Sequence, residues 1–190
     1  MIIPHYYEDP HMLHENTMPN RAYYVPASKR MDNLIEHREQ SDRLQSLNGN
    51  WKFRYYESIY DLQDEFYKTD YPVEEYDTVP VPGVWQNYGC ESHQYIESDY
   101  PFPVDPPYVP LDNPCGAYIH KFQYKTNADA PKVYLEFEGV DSCFYVWLNG
   151  TYVGYGQVSH SLNEFDITDQ IAEGENTLAV LVLKWCDGSY

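Results

Sequence analysis

The last third of the chain is a succession of short strand patterns separated by turn signals. Apolar and polar residues alternate over residues 118–124 and 133–137, and residues 144–148 are apolar at every position. Asn149-Gly150 then provides the dipeptide preferred in tight hairpin turns, before a further strand pattern. Residues 178–183 are continuously apolar, which indicates a strand buried on both faces. Many short strands with proline- and glycine-rich connections predict a mainly β fold, either a β-sandwich or a jelly roll.

The middle of the chain carries a strand pattern, a helix pattern and a long loop. Residues 51–56 alternate as a strand does. Residues 58–66 show the clearest helix pattern, with Ser58 as N-cap and apolar residues on one face, and residues 30–44 suit a second short helix. Six prolines between residues 88 and 114 exclude helix and central strand, and so predict a long rigid loop. Loops of this kind on a β scaffold often carry function.

The acidic residues are unevenly distributed along the chain. The 30 acidic and 12 basic residues give a formal net charge of −18, yet residues 1–54 contain seven of each. The first 43 residues also have few apolar runs, which suits an extended arm lying on another surface. We therefore expect an N-terminal arm over residues 1–45 and a β domain over residues 46–190. No closing element follows the last strand pattern, so we expect the C-terminal end of this domain to be truncated.

A net charge of this sign argues against several partners. Neither nucleic acid nor an anionic membrane surface attracts an acidic protein. No run of about 18 apolar residues is present, and the first ten residues lack the basic and apolar stretches of a signal peptide. We therefore expect a soluble, cytoplasmic protein. Its four cysteines lie far apart without metal-ligand spacing, which favours buried thiols but leaves a disulfide open: Cys90, Cys115, Cys143 and Cys186.

No catalytic constellation is complete in the sequence. Glu136 and Glu138 share one face of a strand and could share a proton, but a solvent-facing pair is the simpler interpretation. Ser159-His160-Ser161 cannot act as a relay, because neighbouring residues on a strand point to opposite faces. The seven histidines show no metal-ligand spacing, and the acidic residues of 70–77 lack the regular spacing of calcium ligands. The 21 tyrosines and four tryptophans permit sugar binding, since sugars offer apolar ring faces and many hydroxyls.

Several segments together resemble the amino-terminal part of the glycoside hydrolase family 2 β-galactosidases. The resemblance runs in order through nearly the whole chain, and it includes Glu15-Asn16 and Asn20-Arg21 in the arm. Its motifs are SLNGNWKF (46–53), VPVPGVWQ (79–86), YPFPVDPPYVP (100–110), NPCG (113–116), FEGVDS (137–142), WLNG (147–150), VGYGQ (153–157), EFD (164–166), GEN (174–176) and KWCDGSY (184–190).

This resemblance implies a jelly-roll, galactose-binding-like domain preceded by an arm that supports assembly of a homo-oligomer. It also implies that the chain is about the first fifth of an enzyme hydrolysing terminal β-galactosides such as lactose. The resemblance places the acid/base and nucleophile glutamates of a retaining mechanism in a later (β/α)₈ barrel, together with the magnesium ligands. By the same resemblance, we expect an acidic residue that binds sodium and substrate shortly after the position of Tyr190. The 190 residues alone are therefore expected to be inactive and without a cofactor, whereas the parent enzyme is expected to use Mg²⁺ and Na⁺.

The resemblance assigns one residue of this chain to the substrate pocket. Asp105, within Val104-Asp105-Pro106-Pro107, matches the loop residue that touches the galactosyl hydroxyls. The best-known form of the motif has asparagine there. An ionised aspartate can only accept hydrogen bonds, whereas asparagine can also donate them. The alternative is a carboxylate that merely stabilises the turn before two prolines.

Other functions stay open at this point. A free-standing carbohydrate-binding module would bind galactose without any barrel, and a purely structural domain would make no sugar contact. Relatives with the same domain order cleave β-glucuronides or β-mannosides, and the choice of sugar is made largely in the barrel.

Overall fold

The computed structural model describes residues 2–93 and 101–190. Part of the proline-rich loop predicted over residues 88–114 therefore lies outside the described residues, as does Tyr100 at the start of its motif. No helix in the described ranges is long and apolar enough to cross a membrane.

Within these ranges the chain forms nine β-strands joined by loops and single turns of 3₁₀ helix. The strands are β1 (His14–Glu15), β2 (Gly49–Tyr56), β3 (Asp77–Val81), β4 (Cys115–Tyr124), β5 (Tyr134–Phe137), β6 (Cys143–Leu148), β7 (Thr151–Gln157), β8 (Asn163–Asp166) and β9 (Gly174–Leu183). The 3₁₀ helices are Tyr6–Glu8, Arg38–Gln40, Ile59–Asp61, Trp85–Tyr88 and Asp187–Ser189.

The strands form one large and one small antiparallel sheet. The large sheet has the order β1-β7-β6-β9-β4-β2-β3, and the small sheet pairs β5 with β8. The central strand of the large sheet, β9, is buried along nearly its whole length. This arrangement confirms the prediction of a mainly β sandwich, and it confirms the prediction that residues 178–183 are a strand covered on both faces.

Different elements cover the two faces of the large sheet. On one face, Tyr145 and Leu181 pack with buried residues of the arm and of the segment after β2, among them Tyr7 and Phe66. On the other face, Phe144 and Val180 pack beneath the small sheet, together with Leu135 and Phe165. The alternating side chains of each central strand therefore meet apolar partners in both directions.

The turn between β6 and β7 forms as its sequence predicts. Asn149 and Gly150 have φ angles of 52° and 78°, the left-handed conformation that a tight hairpin requires at both central positions. The Asn149 amide also bonds across the sheet end, to the backbone N–H of Thr177 at 2.9 Å and to Asn176 Oδ1 at 2.7 Å.

Both predicted helices are shorter than expected. Residues 58–66 contain one 3₁₀ turn, Ile59–Asp61, although Ser58 caps it as predicted. The segment is tied to the loop before β4, because Ile59 N–H donates to Asn113 O and the Ser58 hydroxyl donates to Leu111 O. After the turn, Leu62 has extended backbone angles and a fully buried side chain, and so short a segment gains few helical hydrogen bonds. Residues 30–44 likewise contain only the turn Arg38–Gln40.

The structure contains three strands that periodicity did not predict. β3 includes Pro80, and it is the outermost strand of the large sheet, where a missing N–H donor is tolerated. β1 and β8 are too short for a pattern to emerge.

The segment predicted as an arm lies on the sandwich described above. β1 pairs with β7 at His14↔Gly156 and Glu15↔Tyr155, so this part of the arm is an edge strand of the large sheet. Further along, Arg21 forms ion pairs with the small sheet. The boundary between an arm over 1–45 and a domain over 46–190 stays a prediction.

Candidate functional site

The candidate site is the loop that leads into β4 and carries Asp105. Residue 105 is exposed, and its carbonyl oxygen accepts a hydrogen bond from Tyr108 N–H at 2.9 Å. Pro106 and Pro107, joined by a cis peptide bond, occupy the two central positions of this turn. Backbone atoms therefore close the turn. Within the part of the chain that the structure describes, the Asp105 carboxylate itself makes no hydrogen bond or ion pair.

Tyr190 holds this loop from the far end of the sequence. Its hydroxyl accepts a hydrogen bond from Asp105 N–H at 3.1 Å. The same hydroxyl lies within donating distance of the backbone oxygens of Tyr108 and, at 3.3 Å, of Pro103. One side chain thus contacts backbone groups on both sides of Asp105.

Aromatic packing fixes the base of the loop. The buried ring of Phe102 lies edge-on to Tyr190 and to Trp185, with ring centroids 5.2 Å apart in both pairs. The buried side chain of Asn113 then binds the backbone of Trp185 twice, donating to its oxygen at 2.9 Å and accepting from its N–H at 3.0 Å. The loop and the segment after β9 are therefore packed as one unit.

The arm supplies a further contact to the same loop. Val109 N–H donates to Glu8 Oε1 at 3.1 Å. Glu8 follows Tyr7, whose side chain is buried against the large sheet. The position of the loop therefore depends on contacts that come from both ends of the chain.

The loop presents a carboxylate and an aromatic ring to solvent. Tyr108 and Val104, on either side of Asp105, are 60% and 62% exposed, and Leu111 is 74% exposed. An ionised carboxylate accepts hydrogen bonds from hydroxyl groups, and an exposed ring offers a surface to an apolar sugar face. The structure thus gives Asp105 an accessible position, while its role as a sugar contact stays a prediction.

Glu136 of β5 and Glu138, which follows this strand, both form ion pairs with arginines of the arm. Glu136 binds Arg21 at 2.7 Å, and Arg21 also binds Glu164 of β8 at 2.5 Å. Glu138 is exposed, as predicted, and pairs with Arg38, whereas the prediction of a solvent-facing pair is wrong for Glu136, whose side chain is only 23% exposed. Burial raises the pKa of Glu136, and Arg21 opposes this shift. These carboxylates therefore serve to hold the arm, a role that the sequence did not reveal.

The cysteines are free thiols, with Cys90 half-buried and the other three buried. The thiols of Cys143 and Cys186 share a hydrogen bond. This bond is the main cause that lowers the pKa of Cys186, to about 7, whereas burial raises that of Cys143. In the described ranges, no group of three or more His, Cys, Asp or Glu side chains is placed to hold a metal ion.

Sequence reasoning missed the residues that position the loop. Tyr190 and Glu8 lie 85 and 97 residues from Asp105, and no local pattern connects such distant positions. Phe102 lies within the proline-rich loop, but its burial depends on Trp185 and Tyr190. Only the folded arrangement brings these groups together.

Comparison with known proteins gives consistent results. Residues 44–190 match the family model described as the sugar binding domain of glycosyl hydrolases family 2. The chain is 46% identical over 190 residues to a β-galactosidase of Actinobacillus pleuropneumoniae and 42% identical over 191 residues to one of Staphylococcus xylosus. Both matches include the entire chain but only 18% and 19% of the relatives, so the chain spans about a fifth of their length.

Two solved structures show the same fold. A β-glucuronidase of an uncultured Clostridium species has a TM-score of 0.53 and 23% identity, and the match covers 73% of this chain and 21% of that one. A glycosyl hydrolase family 2 member of Bacteroides cellulosilyticus has a TM-score of 0.53 and 23% identity, and the match covers 75% of this chain and 18% of that one. At this level of identity the likeness concerns the fold alone.

Proposed function

Because the chain belongs to the sugar binding domain family of glycosyl hydrolases family 2, we propose that it is the amino-terminal domain of a longer β-galactosidase. The single observation that carries this proposal is that the whole of this chain matches β-galactosidases, over about a fifth of their length, at 46% and 42% identity. The parent enzyme then removes terminal β-galactose residues from substrates such as lactose.

In this proposal Asp105 completes the substrate pocket. Its exposed carboxylate accepts hydrogen bonds from galactosyl hydroxyls, and the adjacent Tyr108 ring offers an apolar surface. The loop is already held by Tyr190, Phe102 and Glu8, so little conformational freedom is lost when sugar binds. A carboxylate in place of the amide common in the family favours sugar hydroxyls that donate.

The bond-breaking chemistry takes place elsewhere in the parent polypeptide. We place the acid/base and nucleophile glutamates of a retaining mechanism in a following (β/α)₈ barrel, so the 190 residues alone are inactive. We likewise assign the Mg²⁺ and Na⁺ expected for the parent enzyme to later residues of the parent polypeptide, as the resemblance to the family implies. We further propose a cytoplasmic homo-oligomer in which the arm takes part in assembly.

The test is hydrolysis of chromogenic glycosides by the full-length polypeptide, with the 190-residue chain assayed beside it. We expect β-galactosidase activity in the former and none in the latter. Asp105→Ala should lower kcat/KM for the galactoside by about 10- to 100-fold, because one or two hydrogen bonds to the sugar are lost. Asp105→Asn should retain more activity, since its oxygen still accepts.

Asp112→Ala is the matched control, because Asp112 is an exposed carboxylate of the same loop. Unchanged turnover in Asp105→Ala would remove Asp105 from the pocket. Hydrolysis of a glucuronide or mannoside without hydrolysis of the galactoside would replace the substrate and leave the family unchanged.

A further inference from the structure

We propose that Tyr190 is a positioning residue for galactoside binding, acting through the backbone on either side of Asp105. This inference rests on the proposed function, because it concerns how Asp105 is presented to the sugar. It adds a second residue, distant in sequence, on which recognition by the loop depends.

The contacts of the Tyr190 hydroxyl use its hydrogen-bonding capacity in both directions. It accepts from Asp105 N–H at 3.1 Å, and it donates its one proton toward the oxygens of Tyr108 and Pro103. The turn itself is closed by a single bond, from Tyr108 N–H to Asp105 O. A hydroxyl is both donor and acceptor, so Tyr190 can satisfy an N–H and a carbonyl at the same time.

The ring of Tyr190 gives these bonds a fixed origin. It follows the 3₁₀ helix Asp187–Ser189, which continues from the buried strand β9, and it packs edge-on against buried Phe102. Through Tyr190, the position of Asp105 is therefore fixed relative to the central strand of the large sheet. A displacement of about 1 Å in a substrate-positioning group can lower a rate by about 100-fold, so such support has a measurable effect.

Tyr190→Phe removes the hydroxyl and keeps the ring, so it tests the hydrogen bonds while the packing on Phe102 is retained. In the full-length enzyme we expect about a tenfold lower kcat/KM for the galactoside. Tyr88→Phe is the matched control, since the Tyr88 hydroxyl also donates to a backbone oxygen, that of Pro80, at 2.8 Å. We expect no change in that variant.

The decisive measurement is the double variant Asp105→Ala with Tyr190→Phe. If Tyr190 acts through Asp105, the second substitution adds almost nothing once the carboxylate is gone. Amide hydrogen exchange in the same proteins should quicken at Asp105 in Tyr190→Phe, while Val109, which bonds to Glu8, stays protected. The exchange measurement also reports on any variant too unstable for kinetics.

Each outcome bears on one statement. A drop in Asp105→Ala without a drop in Tyr190→Phe overturns the inference and leaves the proposed function in place. If the fold-losses in kcat/KM of the two single variants multiply in the double variant, the inference is also overturned, because Tyr190 then acts on something other than Asp105. No effect of Asp105→Ala removes Asp105 from the proposed pocket, and the inference about Tyr190 falls with it, whereas the proposed function itself fails only if the full-length polypeptide does not hydrolyse the galactoside.

Discussion

Glu136 and Glu164 lie directly opposite each other on β5 and β8, and their carboxylates share the guanidinium of Arg21. Two like charges at facing positions of a sheet repel each other. Arg21 compensates for this repulsion and joins the arm to the small sheet. The three side chains are 10% to 31% exposed, so the cluster is only partly screened by solvent.

We predict that Arg21→Met lowers the free energy of unfolding by about 2 kcal/mol at neutral pH, because it leaves two facing carboxylates unpaired. The folded-state pKa of Glu136 already lies above its ordinary value of 4.5. For such a group, stability present at low pH is lost as the pH rises through the folded-state value. The deficit of Arg21→Met should therefore be small near pH 4.5 and increase toward neutral pH in urea denaturation.

Lys132→Met is the matched control for this prediction. Lys132 pairs with Asp166 on the same strand as Glu164, but its side chain is 60% exposed. Pairs of this kind contribute about 0–1 kcal/mol. Equal losses in the two variants would mean that Arg21 contributes no more than a surface charge.

A second prediction concerns the turn between β6 and β7. Asn149→Ala should cost about 3 kcal/mol, since Thr177 N–H is left without its partner and alanine is strained at a φ of 52°. Gly150→Ala should cost about 1 kcal/mol, because an added Cβ lies 3.9 Å from the nearest atom and only the φ of 78° is unfavourable. Denaturation midpoints of the two variants distinguish these cases. Equal costs would show that the side-chain hydrogen bonds of Asn149 contribute nothing to stability beyond the effect of its left-handed backbone conformation.

This turn also shows which parts of the fold could be predicted from sequence. Asn149-Gly150 forms the turn through its own left-handed φ angles, and Ser58 caps the 3₁₀ turn that follows it through a bond to Tyr60 N–H, so both patterns are visible in the sequence. Pro80 in β3 could not be placed, because its tolerance depends on β3 being an edge strand. The helix expected over 58–66 ends after one turn at Leu62, which is extended and whose side chain is buried among residues distant in sequence.

The candidate site divides in the same way. Asp105 could be identified from the sequence because its motif matches a loop of the family that the chain resembles. Its support by Tyr190 and Glu8 arises from the packing of both chain ends on one loop. No residue pattern encodes a contact across 85 positions, so this part of the site required the structure.

A third prediction concerns thiol reactivity. A bulky aromatic disulfide reagent should modify one thiol, Cys90, in the native chain and all four in denaturant, because only Cys90 is partly exposed. Cys90→Ser should abolish the native reaction. Cys186 has a pKa of about 7 but is buried beside Ser142, so it reports on opening of the segment that carries Tyr190. Rapid native labelling of Cys186 would contradict the fixed position of that segment.

The last prediction concerns the attachment of β1 to the large sheet, which depends on Gly154. A Cβ at this position would lie 2.4 Å from Glu15 O and 2.7 Å from the ring of Phe165, closer than side chains are found. Gly154→Ala should therefore displace β1 from β7, quicken amide exchange around residues 14–15, and cost about 1–3 kcal/mol, as overpacking does. Gly174→Ala is the control, because it has a φ of 90° but no atom within 4 Å of the added Cβ. It should lose stability through backbone strain alone and leave exchange in β1 unchanged. If Gly154→Ala also leaves that exchange unchanged, the close approach at Gly154 is not what attaches the arm. In that case β1 is held by the side chains of Glu15 and Asn16, which form hydrogen bonds with the Tyr152 hydroxyl and with Val153 O.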